Sequence, residues 1–425
     1  MEKFISFGKN NKLYKYLWIY VIIRLVYDYL FSDVFPNQIK PSIFDSQNYP
    51  PNILIQTFFN YLGALIFSIV FYLYLKSQVK IVKKDELLSS SNAFKKYKLI
   101  FEEKGPKIQL RPLIFTIFLS ITSIELIKII VFIDLWSLSY WVFDLFFISY
   151  INLMMFGIPI FSHKKCAIIF ILIFSTLFKF LSTFEYINND NYNLFYKNHI
   201  ILIPIIAITF PCLSLLRFYS LCKITWLLDY KFIPVKIFFL IYNIIGVILL
   251  LISSLISSNV KCIDKNKIND INLICSIKIG NDYYFDSFSY YFQQLWRNER
   301  NIGMNLLYLF LFLIQLLLNA LRILYSILIV KHLNPELYLC SYEIYFFSIR
   351  FIGLIKAVID DNNIVTEIYN LLAELFSLIG VMVYLELIEF KFCNLNHNLK
   401  KNIEMRSINE YSLQEINDDD IANIN

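Results

Sequence analysis

Polar side chains within otherwise apolar stretches are the residues of this sequence that could do chemistry. The stretch from Gly303 to Val330 is rich in Leu and Ile but carries Gln315, Asn319 and Arg322, spaced by four and three. In a helix, this spacing places all three side chains on one face. Such a stripe can bind an ion or a polar solute, or it can hold a neighbouring helix through hydrogen bonds and ion pairs.

Two apolar segments nearer the C-terminus carry charges at a spacing of seven residues. Glu343 and Arg350 lie in "SYEIYFFSIRF", and Glu367 and Glu374 lie in "TEIYNLLAELF". Seven residues are about two helical turns, so each pair shares one helix face. We estimated the depth of each charge from its distance along the helix to the centre of its apolar segment. By this measure Arg322 lies at the depth of Glu343, and Arg350 lies at the depth of Glu374. We therefore predict these two interhelical ion pairs.

The first half of the chain has a similar arrangement. Arg24 and Asp28 are four residues apart, and Glu125 and Lys128 are three apart, so each pair can bridge within its own helix. The pairs also match between helices, because Arg24 lies near the depth of Glu125, and Asp28 near that of Lys128. These residues are candidates for a second polar network.

Asp144 in "WVFDLFF" and Lys179 in "LFKFL" lie at a similar depth toward the outer face. Together with Asp28 and Lys128 they form the candidate for a polar vestibule open to the outside. Two interpretations of all these charges remain: they line a path for an ion, proton or solute, or they fix which helices pack together. Near-equal numbers of acids and bases favour pairing, whereas a carboxylate without a base at its depth would favour transport. Glu367 comes nearest to this, although it lies close to the outer interface, where water can solvate it.

The elements that must position these residues follow from composition. The chain has 425 residues, of which 58% are hydrophobic and only 17% charged, and its mean hydropathy is +0.57. One soluble core cannot enclose so much apolar surface, so the lipid bilayer is the expected environment. The net charge of +6 comes from Lys and Arg placed between apolar segments. This pattern is typical of a multi-pass membrane protein and argues against a nucleic-acid partner.

Windows of about 20 mainly apolar residues, long enough to cross the hydrocarbon core as a helix, occur ten times. We therefore predict an all-α integral membrane protein, a polytopic bundle of about ten transmembrane helices. The first window contains Lys15, Arg24 and Asp28, so it either crosses the membrane or lies along its surface. The windows are Leu13–Ser32, Ile53–Leu75, Pro112–Ile133, Ser137–Phe161, Lys164–Phe184, Ile200–Lys223, Phe232–Ser257, Gly303–Val330, Glu336–Val358 and Ile364–Phe390.

Alternation of Lys and Arg between loops predicts that both termini are cytosolic, in the plasma membrane or the secretory pathway. The exception is the loop 258–302, which is placed outside but contains six basic residues. In chain order the predicted parts are a cytosolic N-terminus (1–12), two spans (13–75), a basic cytosolic linker (76–111), spans three to seven (112–257), an outer loop (258–302), spans eight to ten (303–390) and a disordered cytosolic tail (391–425).

Two loops offer further sites. Cys262 and Cys275 lie in the outer loop, where oxidation is permitted, so they either form a disulfide or remain two thiols. The linker 76–111 carries many Lys residues beside the membrane, and these either bind anionic lipid or belong to a solvated positive-inside loop.

Signatures of enzymes are absent from the sequence. The four histidines, at positions 163, 199, 332 and 397, lie at the ends of spans or in loops. The metalloprotease, serine-hydrolase and phosphate-binding motifs do not occur. We expect no enzymatic activity, no metal site and no cofactor. In the sixth span, Pro204 and Pro211 each remove a backbone donor and favour a kink, and discontinuous helices often form binding sites in transporters.

Three segments carry a resemblance to a family. They are "YNLLAELFSLIGVMVYLELIEFKFCNLNHNLKKNI" at Tyr369–Ile403, "KHLNPELYLCSYEIYFF" before it, and "RFYSLCKITWLLDYKFI" at Arg217–Ile233. These segments resemble uncharacterised multi-pass membrane proteins of early-diverging fungi, over roughly the C-terminal half. That family has no assigned activity, so the resemblance implies a membrane location and assigns no functional residue.

Two functions are therefore open. The first is a transporter or channel for a small solute or ion that uses the buried charges. The alternative is a membrane scaffold or receptor-like interaction protein in which the same charges are structural, with partners that the sequence does not name.

Overall fold

The chain is predominantly helical in its computed structural model. The structure describes residues 11–28, 53–86, 110–133, 144–156, 160–188, 202–229, 233–261, 277–279, 282–284, 286–296, 301–332, 335–359, 364–385 and 388. In these ranges the elements are α1 (Asn11–Asp28), α2 (Ile53–Glu86), α3 (Leu110–Ile133), α4 (Asp144–Phe156), α5 (Ser162–Asn188), α6 (Leu202–Asp229), α7 (Val235–Asn259), β1 (Ile277–Ile279), β2 (Asp282–Tyr284), α8 (Phe288–Leu295), α9 (Ile302–His332), α10 (Pro335–Ile359) and α11 (Ile364–Tyr384).

In the described part of the chain, five helices are long and apolar enough to cross a membrane. They are α2, α5, α7, α9 and α11, which agree with the second, fifth, seventh, eighth and tenth predicted spans. A helical membrane protein is thus supported. The first, third, sixth and ninth predicted spans also fall on helices, of 18, 24, 28 and 25 residues. The total of ten spans stays a prediction.

The fourth predicted span differs from the others. Its described helix, α4, has 13 residues. At 1.5 Å per residue this is roughly 20 Å, shorter than the ~30 Å hydrocarbon core. The flanking residues 137–143 and 157–159 lie outside the described part, so the full extent of this span is not tested.

The chain divides into two compact units, each built from segments distant in sequence. The first unit contains α1 to α3, α6 to α9, the β-hairpin and the start of α10 as far as Ser341; the second contains α4, α5, α10 from Tyr342 onward, and α11. In the second unit, α5 packs on α11, which is nearly two hundred residues further along the chain.

Small residues bring the helices of the first unit close together. In this unit α2 packs against both α7 and α9. A Cβ added at Gly246 of α7 would lie 2.2 Å from the Tyr61 ring of α2. A Cβ added at Gly63 of α2 would lie 2.7 Å from Cβ of Leu316 on α9. Close approach at small residues is the usual way in which membrane helices gain packing energy, because lipid supplies no hydrophobic drive between them.

The connection between α7 and α9 folds back onto the first unit. It contains the antiparallel pair β1 and β2, in which Ile279 is opposite Asp282, followed by the short helix α8. Neither element was predicted. The sequence did contain a recognised hairpin signal, the pair Gly-Asn between "IKI" and "DYY". Phe59 of α2 stacks on Tyr291 of α8, with ring centroids 5.2 Å apart and planes 5° apart. The edge of Phe312 on α9 completes this aromatic contact.

Asp286, just before α8, joins this connection to the ends of two helices. Its carboxylate accepts a hydrogen bond from Ser257 Oγ near the end of α7, at 3.2 Å, and another from the backbone amide of Leu54 at the start of α2. The side chain is fully buried, and its Oδ1 has no hydrogen-bond partner. Burial raises the pKa of Asp286 from 3.8 to about 6, because the two hydrogen bonds offset only part of the desolvation.

We expect the stability of the fold to fall as the pH rises from about 4 to 6. Because the pKa of Asp286 is 3.8 unfolded and about 6 folded, the folded state binds more protons in this window. Deprotonation of the buried carboxyl should then lower the free energy of unfolding by about 3 kcal/mol. Thermal unfolding of Asp286→Asn across this window should lack that decline.

Ser257→Ala provides the matched comparison for Asp286. It removes a hydrogen bond that favours the ionised carboxylate, so the decline in the free energy of unfolding should extend to higher pH. Parallel pH profiles for the wild type and Asp286→Asn would show that this carboxyl does not titrate with folding.

In the second unit, α5 and α11 pack antiparallel. Ile171 contacts Gly380, whereas Ser182, further along α5, contacts Thr366, earlier in α11. A Cβ added at Gly380 would lie 2.1 Å from Cγ1 of Ile171 and 3.4 Å from the carbonyl oxygen of Ala167. The helices can approach this closely only because glycine has no side chain.

Gly380→Ala should destabilise the second unit by roughly 1–3 kcal/mol, because the added methyl overlaps Ile171. Adding Ile171→Ala should make the double variant more stable than the sum of the two single effects, since it removes the clashing atoms. The measurement is thermal unfolding in detergent. Gly303→Ala is the control, because a Cβ there meets no atom within 4 Å. Simple additivity at Gly380 and Ile171 would contradict the close contact.

Candidate functional site

A row of buried polar side chains follows the face of α11 that packs on α5, together with Glu343 of α10, and we call it the polar seam. Its members are Lys179, Ser182, Glu343, Thr366, Asn370, Glu374 and Ser377. Its centre is an ion pair in which Lys179 Nζ lies 2.9 Å from Glu374 Oε1, and these two side chains are only 5% and 7% exposed. Both residues lie well inside apolar helices, so this is a buried pair and not a surface salt bridge.

Hydrogen bonds extend the polar seam in both directions from the ion pair. Toward the start of α11, Asn370 Oδ1 accepts from Lys179 Nζ at 3.5 Å and from Ser182 Oγ at 3.0 Å. Ser182 Oγ also lies 3.4 Å from the backbone carbonyl oxygen of Thr366, to which it donates. In the other direction, Ser377 Oγ donates to Glu343 Oε2 at 2.8 Å.

The sequence of α11 explains why these groups line one face. Thr366, Asn370, Glu374 and Ser377 are spaced by four, four and three, so they follow one another along the same side of the helix. Ala373 and Gly380 lie on this side as well and are buried. Small side chains beside the polar ones let α5 approach closely enough for the lysine to reach the carboxylate.

A second ion pair lies at the edge of the polar seam. Arg350 Nη1 of α10 lies 3.8 Å from Glu367 Oε2, and these side chains are 27% and 24% exposed. Glu367 Oε2 also faces Gly353, whose missing side chain leaves room for it. This pair is longer and more exposed than that of Lys179 and Glu374, so it contributes less to stability.

The predicted partner of Glu374 was wrong. Glu374 pairs with Lys179 and not with Arg350, and Arg350 pairs with Glu367. Matching by depth ignored rotation about the helix axis: the face of α11 that carries Glu374 is the one that packs on α5. The predicted pair of Arg322 and Glu343 joins residues of different units and stays a prediction.

In the first unit, the predicted stripe on α9 takes part in a separate polar cluster. Arg322 Nη2 donates to Asn319 Oδ1 at 2.7 Å, and its guanidinium lies 4.8 Å from the centre of the Tyr27 ring. Asn319 Nδ2 donates to the backbone carbonyl oxygen of Asn60 at 3.1 Å. Asn60 Nδ2 and Gln315 Nε2 both donate to the Tyr27 hydroxyl, at 3.0 and 3.5 Å. Neutral amides and an aromatic ring are thus among the neighbours of this arginine.

The structure describes the side chains of only some of the remaining predicted residues. Glu125 is buried and Arg24 half-buried, both within the first unit. The side chains of Asp28, Lys128 and Asp144, three of the four predicted vestibule residues, lie outside the described part. Cys262 and Cys275 also lie outside it, so the disulfide is not tested.

Six residues of these two sites were missed by sequence analysis. They are Tyr27, Asn60, Ser182, Thr366, Asn370 and Ser377. A single Asn, Ser or Tyr is not distinctive in a chain with 30 tyrosines. The usable signal was the spacing of Thr366, Asn370 and Glu374 at every fourth residue on an apolar helix.

In the polar seam, the Lys179 cation lies among oxygen atoms. A carboxylate, an amide oxygen and a hydroxyl surround the Lys179 ammonium or its immediate neighbours. In the part of the chain that the structure describes, no group of three or more His, Cys, Asp or Glu side chains could hold a metal ion.

Fold and site together define the class as a helical membrane protein with a buried ion pair between two of its helices. No protein-family model matches the sequence, and no curated protein or solved structure matches it significantly.

Lys179→Met should lower the free energy of unfolding by roughly 3–5 kcal/mol, because it leaves the Glu374 carboxylate buried without its cation. Replacing both residues, in Lys179→Met/Glu374→Leu, should restore much of this loss. Chemical unfolding in detergent provides the measurement. Lys236→Met on α7 is the matched control, since that lysine is half-buried and lies over a tyrosine ring. A double variant less stable than Lys179→Met would contradict the pairing.

Proposed function

We propose that this protein transports a small solute or ion across a membrane, and that the polar seam forms part of the path. The observation that carries the proposal is the ion pair of Lys179 and Glu374, buried inside two apolar helices. A charge at the centre of the bilayer costs at least about 2.5–3.5 kcal/mol on insertion scales, and such charges usually serve transport.

The extent of the polar seam supports this proposal. Its groups on α11 run from Thr366 to Ser377, which is roughly 16 Å at 1.5 Å per residue, or about half of the hydrocarbon core. A single ion pair would suffice to lock two helices together. The hydroxyl of Thr366 is buried without a hydrogen-bond partner, which packing alone does not explain.

The second candidate is a membrane scaffold or receptor-like interaction protein in which the polar seam is structural. The close contact of Gly380 with Ile171 favours it, because small residues already hold α5 and α11 together beside the pair. In that case the seam is dry, whereas a transport path admits water. The two functions therefore differ in one measurable property.

The orientation and lipid contacts belong to the same proposal. The distribution of Lys and Arg between spans supports cytosolic termini, and the lysines of the linker 76–111 support contact with anionic lipid. A transporter in this orientation would carry the linker on the side where anionic lipids are abundant.

Thiol accessibility distinguishes a wet from a dry seam. In a full-length chain lacking its seven native cysteines, single cysteines at Asn370 and Ser377 should react with a membrane-impermeant thiol reagent in lipid vesicles. Val365 and Ile368 are the matched controls on the same helix, since both are exposed on its surface. Cysteines there should react more slowly, because a lipid-facing thiol has little access to water.

The same vesicles then provide the functional readout. Reaction at the seam positions together with loss of solute or ion flux on modification would support transport. Folded protein in which Asn370→Cys and Ser377→Cys remain as unreactive as the two controls would refute the path and favour the scaffold.

A further inference from the structure

The short helix α8 lies close to one end of the long helices of the first unit. Just before it, the Asp286 carboxylate accepts hydrogen bonds from Ser257, near the end of α7, and from the amide of Leu54 at the start of α2. Within α8, the Tyr291 ring stacks on Phe59, which lies five residues beyond Leu54. Five residues are roughly 8 Å of helix. Because the apolar stretch of α2 begins at Leu54, α8 lies beside the first turns of that stretch.

One side of α8 is aromatic. Phe288, Phe292 and Trp296 follow one another at intervals of four residues, so they share this side of the helix. The ring of Phe288 lies 6.3 Å from that of Phe58, and the ring of Phe292 lies 5.6 Å from that of Phe59, measured between centroids. Phe292 and Trp296 are nevertheless 53% and 49% exposed. Contacts with α2 therefore cover only part of the aromatic side.

The surface of α9 near α8 is apolar as well. The Tyr291 ring of α8 lies 6.4 Å from that of Phe312 on α9, between ring centroids. The turns of α9 that lead up to Phe312 expose Ile302, Leu306 and Phe310. This helix is long and apolar enough to cross a membrane, and an exposed apolar surface of this kind is covered by lipid. Lipid is therefore the expected neighbour at the depth of α8.

The exposed side chains of α8 are of the types that suit the boundary between lipid and water. The tryptophan ring is large and apolar but carries one N–H donor, so it is stable where one end of the side chain is in lipid and the other is hydrated. Aromatic side chains are enriched at both surfaces of a membrane for this reason. A helix that lies in this boundary buries its apolar face roughly 5–10 Å deep, which agrees with the position of α8 beside the first turns of α2.

We propose that α8 is an interfacial anchor, and that Phe292 and Trp296 enter the boundary between the phospholipid headgroups and the acyl chains. The leaflet is the one in which α2 and α9 begin and α7 ends. The partner of this surface is the bilayer itself, which covers the part of the aromatic side that α2 leaves open. The hydrogen bonds of Asp286 fix the start of α8 at the helix ends, so the anchor holds the connection between α7 and α9 at one depth.

Spin labels in phosphatidylcholine vesicles test this anchor. In the full-length chain without its native cysteines, a nitroxide on Phe292→Cys or Trp296→Cys should collide often with oxygen, which concentrates in lipid, and rarely with a water-soluble nickel chelate. Lys261→Cys, exposed just beyond α7, is the water control, and Ile248→Cys, exposed on α7 to the same 53% as Phe292, is the lipid control. The ratio of oxygen to nickel collisions should be at least about threefold higher at the two α8 positions than at position 261.

Two outcomes would overturn the lipid contact. Nickel collisions as frequent at both α8 positions as at position 261 would show that this side of α8 faces water. Few collisions with either reagent would show that protein covers it. In that case, dipolar broadening that disappears on dilution with unlabelled chain would identify a second copy as the cover.

A second measurement uses the wild type, so that no substitution can disturb the fold. A phosphatidylcholine that carries a photoactivatable diazirine close to its headgroup should label Phe292 or Trp296, read by mass spectrometry of the digested protein. A water-soluble diazirine should label these residues less than it labels Lys261. The reverse preference, with labelling by the soluble reagent alone, would refute the anchor.

The anchor does not depend on the transport proposal. It belongs to the first unit, whereas Asn370 and Ser377 of the polar seam belong to the second. A dry seam would leave the anchor unchanged, and spin labels on α8 that face water would leave the transport path unchanged.

Discussion

The second unit depends on the buried contact between Lys179 and Glu374. Both charges are buried away from solvent, so each requires the other, and the helices that carry them must stay within reach. The packing of α5 on α11 meets this requirement through small residues: Gly380 lets Ile171 approach, and Ala373 and Ser377 lie beside the pair. Polar and steric features of one interface thus reinforce each other.

The two units stabilise intramembrane charge by different means. In the first, Arg322 lies over the Tyr27 ring and donates to Asn319, whose own amide donates to the backbone of Asn60. Neutral groups thus take part in holding the positive charge of Arg322. In the second unit the lysine lies 2.9 Å from a carboxylate oxygen, so two opposite charges are buried together.

Sequence analysis predicted the helical membrane class because composition and segment length determine it, and five described helices support that class. It also predicted that Lys179, Glu343, Arg350 and Glu374 lie within helices. It assigned the partner of Glu374 wrongly because depth along a helix can be read from residue number, whereas rotation depends on which neighbour packs there. The joining of α5 to α11 likewise could not be predicted, since no local pattern records a contact across so much chain. The hairpin before Asp286 had a local signal and could have been predicted.

Close packing and transport place opposite demands on the same interface, and the geometry of the polar seam reconciles them. Pulling Lys179 away from Glu374 in a dry interface would leave two unsolvated charges, a change far too costly to occur on its own. Water that enters the interface would solvate both charges and lower that cost. The long, flexible lysine side chain can move without moving α5, so the contact at Gly380 can persist. Opening the ion pair therefore requires water in the polar seam and does not require the two helices to separate.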